Sequence, residues 1–288
     1  MTEAVTVTVN MKVAARRPPL VVVKVGGDVL QDDAQRAGLG PNVRGLVDAG
    51  ARVVVLHGGG PQVTALQERL GLVARKVAGR RVTSPADLAV VVQAICGEVN
   101  VGLVSTLLAA GVRAFGCHGA SGAMVLAHKR EPMRVPGVDE PVDYGEVGDV
   151  ARVDDAGLRA LTDAGFVPVV ATLGVDEGGR VFNINADTTA VAVAQALAAD
   201  VLLLVTAVGG VFHDVKNPST RIPTLTRASA RALIDAGAIT GGMIPKVEEA
   251  LSILDDGVGA VAVLGAQDAG AFVSALTGDG ARGTRFAR

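Results

Sequence analysis

Apolar, β-rich runs recur along the chain, at 20–25, 52–56, 112–116, 167–171, 201–206 and 260–264. They are rich in Val, Leu and Ala, and most of them show no strict alternation with polar residues. Such runs predict short strands buried on both faces, as in a parallel sheet. Between them lie longer stretches rich in Ala, Leu, Gln and Glu, which read as helices. Strand and helix signals that alternate in this way predict an α/β protein, a three-layer αβα sandwich with a central, mostly parallel sheet. Ligands of such sheets bind at the C-terminal ends of the strands.

Local signals refine the pattern. Ser84, Pro85 and Asp87 supply a capping residue, a first-turn proline and an N3 acid, so a helix is expected to start there. Asn183, Asn185 and Asp187 precede the helix-like stretch 188–194. Two segments read as hairpins: 73–82 around Ala78-Gly79, and 174–182 around Glu177-Gly178-Gly179. The stretch 121–149 is irregular, with Pro132, Pro136 and Pro141, and is expected to be a β-rich excursion or a lid near the active face. Near the N-terminus Val5, Val7 and Val9 alternate with threonines, a period of two that does not suit an amphipathic helix. No linker or solenoid repeat divides the chain, whose length suits one large α/β domain or two smaller ones.

Composition narrows the function. Among 288 residues, 49% are hydrophobic but only 2% aromatic, with no Trp, which argues against base stacking on nucleic acid. A formal net charge of -2 leaves no basic footprint for nucleic acid or an anionic membrane. Cys96 and Cys117 form no CxxC motif and read as small buried hydrophobes in a reducing compartment. Residues 1–18 contain no apolar signal core, and no charge-free apolar run reaches spanning length, since Asp187 and Asp200 interrupt the most apolar stretch. The expectation is a soluble cytoplasmic protein.

Two of the apolar runs end in glycine. The first gives Lys24-Val25-Gly26-Gly27, the second His57-Gly58-Gly59-Gly60-Pro61. Bare backbone at a strand end, just before a helix, presents N–H groups to an anion. Lys24 reads either as a lysine snorkelling at a strand end or as a phosphate ligand. Gly241-Gly242 followed by Lys246 repeats the combination of glycine, helix start and lysine. There is no Walker P-loop, no nucleophile elbow and no histidine pair with metal-ligand spacing; the GxGxxG string at 278–283 has no helix after it. These parts suit phosphoryl transfer, which is mostly positioning and charge neutralisation. Lys24 and Lys246 could grip the phosphoryl oxygens, with Asp187 pairing to both. A carboxylate acceptor, with a pKa of about 4.3, would already be a nucleophile at neutral pH and would need no base.

The motifs KVGG (24–27), HGGGPQV (57–63), GRRVT (79–83), YGEVGDV (144–150), NINADT (183–188), GGMIPKV (241–247) and GTR (283–285) occur here in one order. In that order and spacing the chain resembles the amino-acid kinase family, in particular its members that phosphorylate N-acetyl-L-glutamate. The resemblance spans about 20–286. It implies ATP-dependent phosphorylation of the side-chain carboxylate of N-acetyl-L-glutamate in arginine biosynthesis, with Mg2+ arriving on ATP. It also implies an N-terminal extension (1–19), a lobe for the acylated amino acid and for dimerisation (20–178), and an ATP lobe (179–288). By motif match, Lys24 and Lys246 stabilise the transferring group and Asp187 organises both. Gly26, Gly27 and Lys246 meet the nucleotide phosphates. Gly59 and Gly60 face the acceptor, Arg81 grips its α-carboxylate, and Asn183 bonds nearby.

Three departures accompany the resemblance. The family's usual TDVPGV reads Thr206-Ala207-Val208-Gly209-Gly210-Val211 here, without its aspartate. Its SGKDG stretch appears as Gly116-Cys117-His118-Gly119-Ala120-Ser121-Gly122, where no role is assigned and His118 is expected in a loop. The N-terminus lacks the long amphipathic helix of arginine-inhibited hexamers, so the expectation is a homodimer that free arginine inhibits weakly or not at all. A PII-type signalling partner is left open. Competing readings are a kinase for carrier-protein-bound aminoadipate or glutamate, and a ligand-binding regulator that has lost catalysis. A nicotinamide-dependent dehydrogenase suits the fold class but has no fingerprint in the right context.

Overall fold

The structure is a computed structural model that describes residues 17–214, 217–239, 243–255, 257–278 and 282–287, with side chains left undescribed at 243, 245, 246, 249 and 255. The N-terminal alternation and the Gly241-Gly242 pair therefore lie outside the described residues. Lys246 is described only as a backbone position in a helix.

The central sheet has eight strands: β1 (Leu20–Val25), β2 (Arg52–His57), β5 (Ala114–His118), β8 (Val167–Ala171), β11 (Val201–Val205), β12 (Thr224–Leu225), β13 (Val261–Leu264) and β14 (Gly283–Phe286). Their order is β12-β14-β13-β11-β1-β2-β8-β5, parallel throughout except for the antiparallel β13–β14 pair. The expected fold class is thus observed.

Side-chain alternation sorts the helices into two outer layers. Val21, Val23 and Val25 of β1 pack with α1 (Asp33–Asp48), α4 (Asn100–Ala109) and α9 (Ala271–Thr277). Leu20 and Val22 pack on the other side with α5 (Ala156–Asp163), α6 (Ala186–Ala196), α7 (Arg227–Asp235) and α8 (Met243–Asp255). Period two therefore directs Lys24 toward the α6 layer.

A second sheet, ordered β10-β9-β6-β7, uses β6 (Val125–Lys129), β7 (Gly148–Val153), β9 (Leu173–Val175) and β10 (Val181–Asn183). This is the β-rich excursion expected around 121–149, joined by the expected 174–182 hairpin. The other hairpin pairs β3 (Lys76–Val77) with β4 (Arg80–Arg81). Its turn residues Ala78 and Gly79 both take positive φ, 47° and 75°, as a two-residue hairpin turn requires.

Ser84 caps α3 (Pro85–Val92) in a reciprocal capping box with Asp87. The helix continues through α2's neighbour, a π-helical segment (Gln93–Val99), into α4, where α2 is Gly60–Arg69. The combined helix Pro85–Ala109 is long and apolar enough to cross a membrane by composition, with a mean hydropathy of 1.7. Asp87 and Glu98 interrupt it, so it holds no charge-free apolar run of spanning length. Its buried Val99, Leu103 and Leu107 pack with the sheet residues Val53, Val167 and Val169.

Two boundaries differ from expectation. The strand expected at 112–116 begins at Ala114. Gly111, at φ 77°, and Val112 instead close α4: their N–H groups donate to Leu108 O and Leu107 O, so the apolar Val112 is spent on a helix end. His118 is accordingly the last residue of β5 rather than a loop residue, and its Nδ1 is buried without a partner. Helix α6 starts at Ala186, two residues early, because Asn185 is the cap, and this places Asp187 in the first helical turn.

Candidate active site

Parallel pairing sets the two glycine junctions side by side. Val25 lies opposite His57 on one side and Val205 on the other, so both strands run into glycine at one level of the sheet's C-terminal edge.

Lys24 sits one residue before that edge, with its side chain 12% exposed. Its Nζ lies 2.7 Å from Asp187 Oδ1. Asp187 is fixed by its own helix: the Asn185 side chain accepts from the Asp187 N–H at 2.9 Å and from the Thr188 N–H at 3.0 Å. A carboxylate in a first helical turn is favoured by the helix dipole. The strand thus supplies the cation and the helix N-terminus the anion.

The glycines are required by close approach. A Cβ on Gly27 would lie 2.7 Å from Pro61 Cδ, and one on Gly59 would lie 3.0 Å from Ile95 Cγ2 of the π-helical segment. The first glycine turn is therefore packed against the start of α2, and Gln62 Nε2 ties the two by donating to Gly27 O at 3.3 Å. Gly26 behaves differently from Gly27. It is buried, and its N–H donates to Val205 O at 3.1 Å, so that N–H serves the sheet. Next to it, Asp28 Oδ2 accepts from the Ala207 N–H at 3.1 Å, so a carboxylate does meet the loop where the sequence lacks the expected aspartate.

Arg81 is held over α2. Its Nη2 donates to Thr64 Oγ1 at 2.7 Å and to Gly60 O at 3.0 Å, and its Nη1 donates to Gln67 Oε1. Burial pulls the guanidinium below its usual pKa, opposed by the charge of Asp87. Burial alone would raise the Asp87 carboxyl, but hydrogen bonds from Ser84 and Gln67 and the Arg81 charge hold it below the usual range. Asn183, at the end of β10, donates to Thr83 Oγ1 at 3.2 Å.

A cavity of about 520 Å³ gathers these groups: Lys24, Gly27, Gly59, Gly60, Arg81, Asn183 and Asp187 all line it. Gly26 does not. Three further cations line the same cavity and were not singled out in the sequence: Lys76, Arg80 and Arg130. Lys76 and Arg80 lie in the 73–82 hairpin, on β3 and β4. Arg130 follows β6 in the proline-rich stretch, where no motif marks it; it is buried and forks onto both oxygens of Asp149. Five cations against one lining carboxylate, Asp187, make this a pocket for anions, and Val63, Val91 and Ile95 give it one apolar wall. No cluster of three or more potential metal-ligating His, Cys, Asp or Glu side chains occurs among the described residues. A divalent cation would thus have to bring most of its ligands with it, as one bound to a nucleotide does.

Known proteins share this arrangement of sequence and fold. The sequence profile of the amino acid kinase family matches residues 19–265. An acetylglutamate kinase of Anaeromyxobacter dehalogenans is 46% identical over 92% of this chain and 98% of its own. Another, from Sorangium cellulosum, is 46% identical over 92% of this chain and 93% of its own. Among solved structures, a Streptococcus mutans protein superposes with a TM-score of 0.70 at 30% identity, covering 93% of this chain and 98% of that one. The chain belongs to the amino acid kinase family, within the group whose curated members are acetylglutamate kinases.

Proposed function

We propose that this protein transfers the γ-phosphoryl group of ATP to the side-chain carboxylate of N-acetyl-L-glutamate. The products are N-acetyl-L-glutamyl 5-phosphate and ADP, and the reaction belongs to arginine biosynthesis. The observation that carries this reading is the Lys24–Asp187 pair, 2.7 Å apart, lining a cationic cavity between two glycine turns.

Two anions must meet in this reaction, and their repulsion is the main barrier the protein can lower. Lys24 neutralises the transferring phosphoryl oxygens, and Asp187 keeps the ammonium aimed at them. Lys246, in the first turn of α8, serves the same group from the nucleotide side. Gly27 lets the phosphates approach the backbone; Gly26 supports that turn through its bond to Val205. Gly59 and Gly60 face the acceptor's reacting carboxylate, Arg81 takes its α-carboxylate with the donors left free by α2, and Asn183 binds beside it. The acceptor carboxylate is ionised at neutral pH, so no general base is needed. A Mg2+ ion carried on ATP would be held mostly by phosphates and water and would spread the phosphate charge.

On this reading residues 20–178 hold N-acetylglutamate and the dimer contact, and residues 179–288 hold ATP, with 1–19 as an extension. The two parts contribute opposite halves of the central sheet, meeting where β1 pairs with β11. A homodimer is supported by the edge strand β5, where Phe115 is 44% exposed, and by α4, which exposes Val101 and Leu108 one heptad apart. A cytoplasmic location suits a biosynthetic kinase of this kind. The test is ADP release with a panel of N-acyl amino acids: N-acetyl-L-glutamate should be turned over best, and silence across the panel would remove the reading.

A further inference from the structure

His57 ends β2 immediately before the three glycines, and its side chain reaches neither solvent nor the cavity, being 0% exposed. Its two ring nitrogens are both engaged. Nδ1 lies 2.8 Å from Gly58 O, and Nε2 lies 2.9 Å from Asn100 Nδ2. A carbonyl can only accept and an amide nitrogen can only donate, so the proton must sit on Nδ1 and Nε2 must be the acceptor. Burial agrees, pushing the imidazole down to about 4 and keeping it neutral at physiological pH.

Asn100 is anchored in turn. It is the first residue of α4, is buried, and its Nδ2 also donates to Val169 O of β8 at 2.9 Å. The main chain of His57 is pinned as well: Thr172 Oγ1 donates to His57 O at 3.2 Å. A rigid line therefore runs from the sheet through Asn100 and His57 to one carbonyl, that of Gly58. Three consecutive glycines have no side chains to fix their peptide planes. In a planar trans peptide the N–H points opposite to the C=O, so the plane that sends Gly58 O to the imidazole sends the Gly59 N–H the other way.

We propose that His57 is a positioning residue: its Nδ1–H clamps the Gly58 carbonyl away from the acceptor and so presents the Gly59 N–H to the acceptor's anionic carboxylate. A flipped plane would instead turn a carbonyl oxygen toward an anion. This inference rests on the proposed acceptor reaction for its kinetic consequence, but not for its geometry.

Two measurements test it. In wild-type protein at pH 7.5, the ring nitrogens of His57 read by 15N NMR should show the Nδ1–H tautomer; the Nε2–H tautomer or an imidazolium would overturn the proposal. In His57→Gln the amide cannot reach the Nδ1 position, whereas the Nδ2 of His57→Asn overlays it. His57→Gln should lower kcat/KM for N-acetyl-L-glutamate by on the order of ten- to a hundredfold, the scale of misplacing a binding group by about 1 Å. The KM for ATP should stay within about twofold, and His57→Asn should recover most of the loss. Equal activity of both variants, or losses that fall alike on ATP and acceptor in proportion to lowered Tm, would contradict a positioning role. Wild-type turnover of N-acetyl-L-glutamate is the control: its absence defeats the acceptor assignment, while the tautomer bears on His57 alone.

Discussion

Lys24 and Asp187 meet across the boundary between a buried strand and a helix N-terminus, with Nζ 2.7 Å from Oδ1. Neither alone defines a site: Lys24 could snorkel, and Asp187 could merely favour its helix. Together they form an aimed cation at the C-terminal edge of a parallel sheet. Lys24→Ala should therefore lower kcat by on the order of a hundred- to a thousandfold, the usual loss of one transition-state donor. Asp187→Asn should lower kcat with a smaller effect on acceptor KM, because it leaves Lys24 present but unaimed. Lys24→Arg should not restore the rate, since a planar fork replaces a point charge. Steady-state kinetics with both substrates varied checks all three.

Gly27 and Gly60 should respond in opposite ways to the same substitution. A methyl on Gly27 would lie 2.7 Å from Pro61 Cδ, whereas one on Gly60 would meet no atom within 4 Å. Gly27→Ala should cost about 1–3 kcal/mol of stability through overpacking. Gly60→Ala should leave stability within about 0.5 kcal/mol and raise the acceptor KM, as a methyl beside the bound carboxylate. Denaturant melts and acceptor titrations separate the two outcomes.

Arg81 is shaped by its neighbours as much as by its charge, since Gly60 O, Thr64 and Gln67 orient its fork. Arg81→Lys keeps the charge and loses that orientation. Acceptor KM should rise at least about tenfold, with a smaller change in kcat and none in the KM for ATP. An equal rise in both KM values would place Arg81 outside the acceptor site.

His57 makes stability depend on pH in a defined direction. Its folded-state pKa is depressed from 6.5 to about 4 by burial. Well above pH 6.5 neither state is protonated and there is no penalty. As pH falls from 6.5 toward 4 the unfolded chain takes up a proton that the folded chain refuses, so stability falls with pH across that window. The full window is worth about 3 kcal/mol. His57→Asn should flatten the slope of stability against pH between 6.5 and 4, as read by urea melts.

Much of the fold was legible because a sheet buried on both faces writes itself as unbroken apolar runs. The runs at 20–25, 52–56 and 167–171 became β1, β2 and β8 at nearly the same bounds. The run at 112–116 misled because Val112 closes a helix instead of joining a strand, a use of an apolar residue that periodicity does not distinguish. The glycine turns and Asp187 were legible because they break local rules, with bare backbone at strand ends and more polar residues than one helix cap needs. Arg130 was not legible, because its place in the cavity depends on how the second sheet folds back and leaves no local pattern. For Gly26 the resemblance implies a place beside the nucleotide phosphates together with Gly27; the structure adds that its N–H is held by Val205 O, a bond that the motif does not reveal.

The most direct test of the account follows the acyl phosphate itself. Wild-type protein, ATP, Mg2+ and N-acetyl-L-glutamate are incubated with hydroxylamine, which converts an acyl phosphate to a hydroxamate, and ADP is measured alongside. Hydroxamate should equal the ADP released and depend on N-acetyl-L-glutamate, with Lys246→Ala losing kcat far more than acceptor affinity. ADP without hydroxamate, no product with any N-acyl amino acid, or a Lys246→Ala variant with unchanged kcat would contradict it.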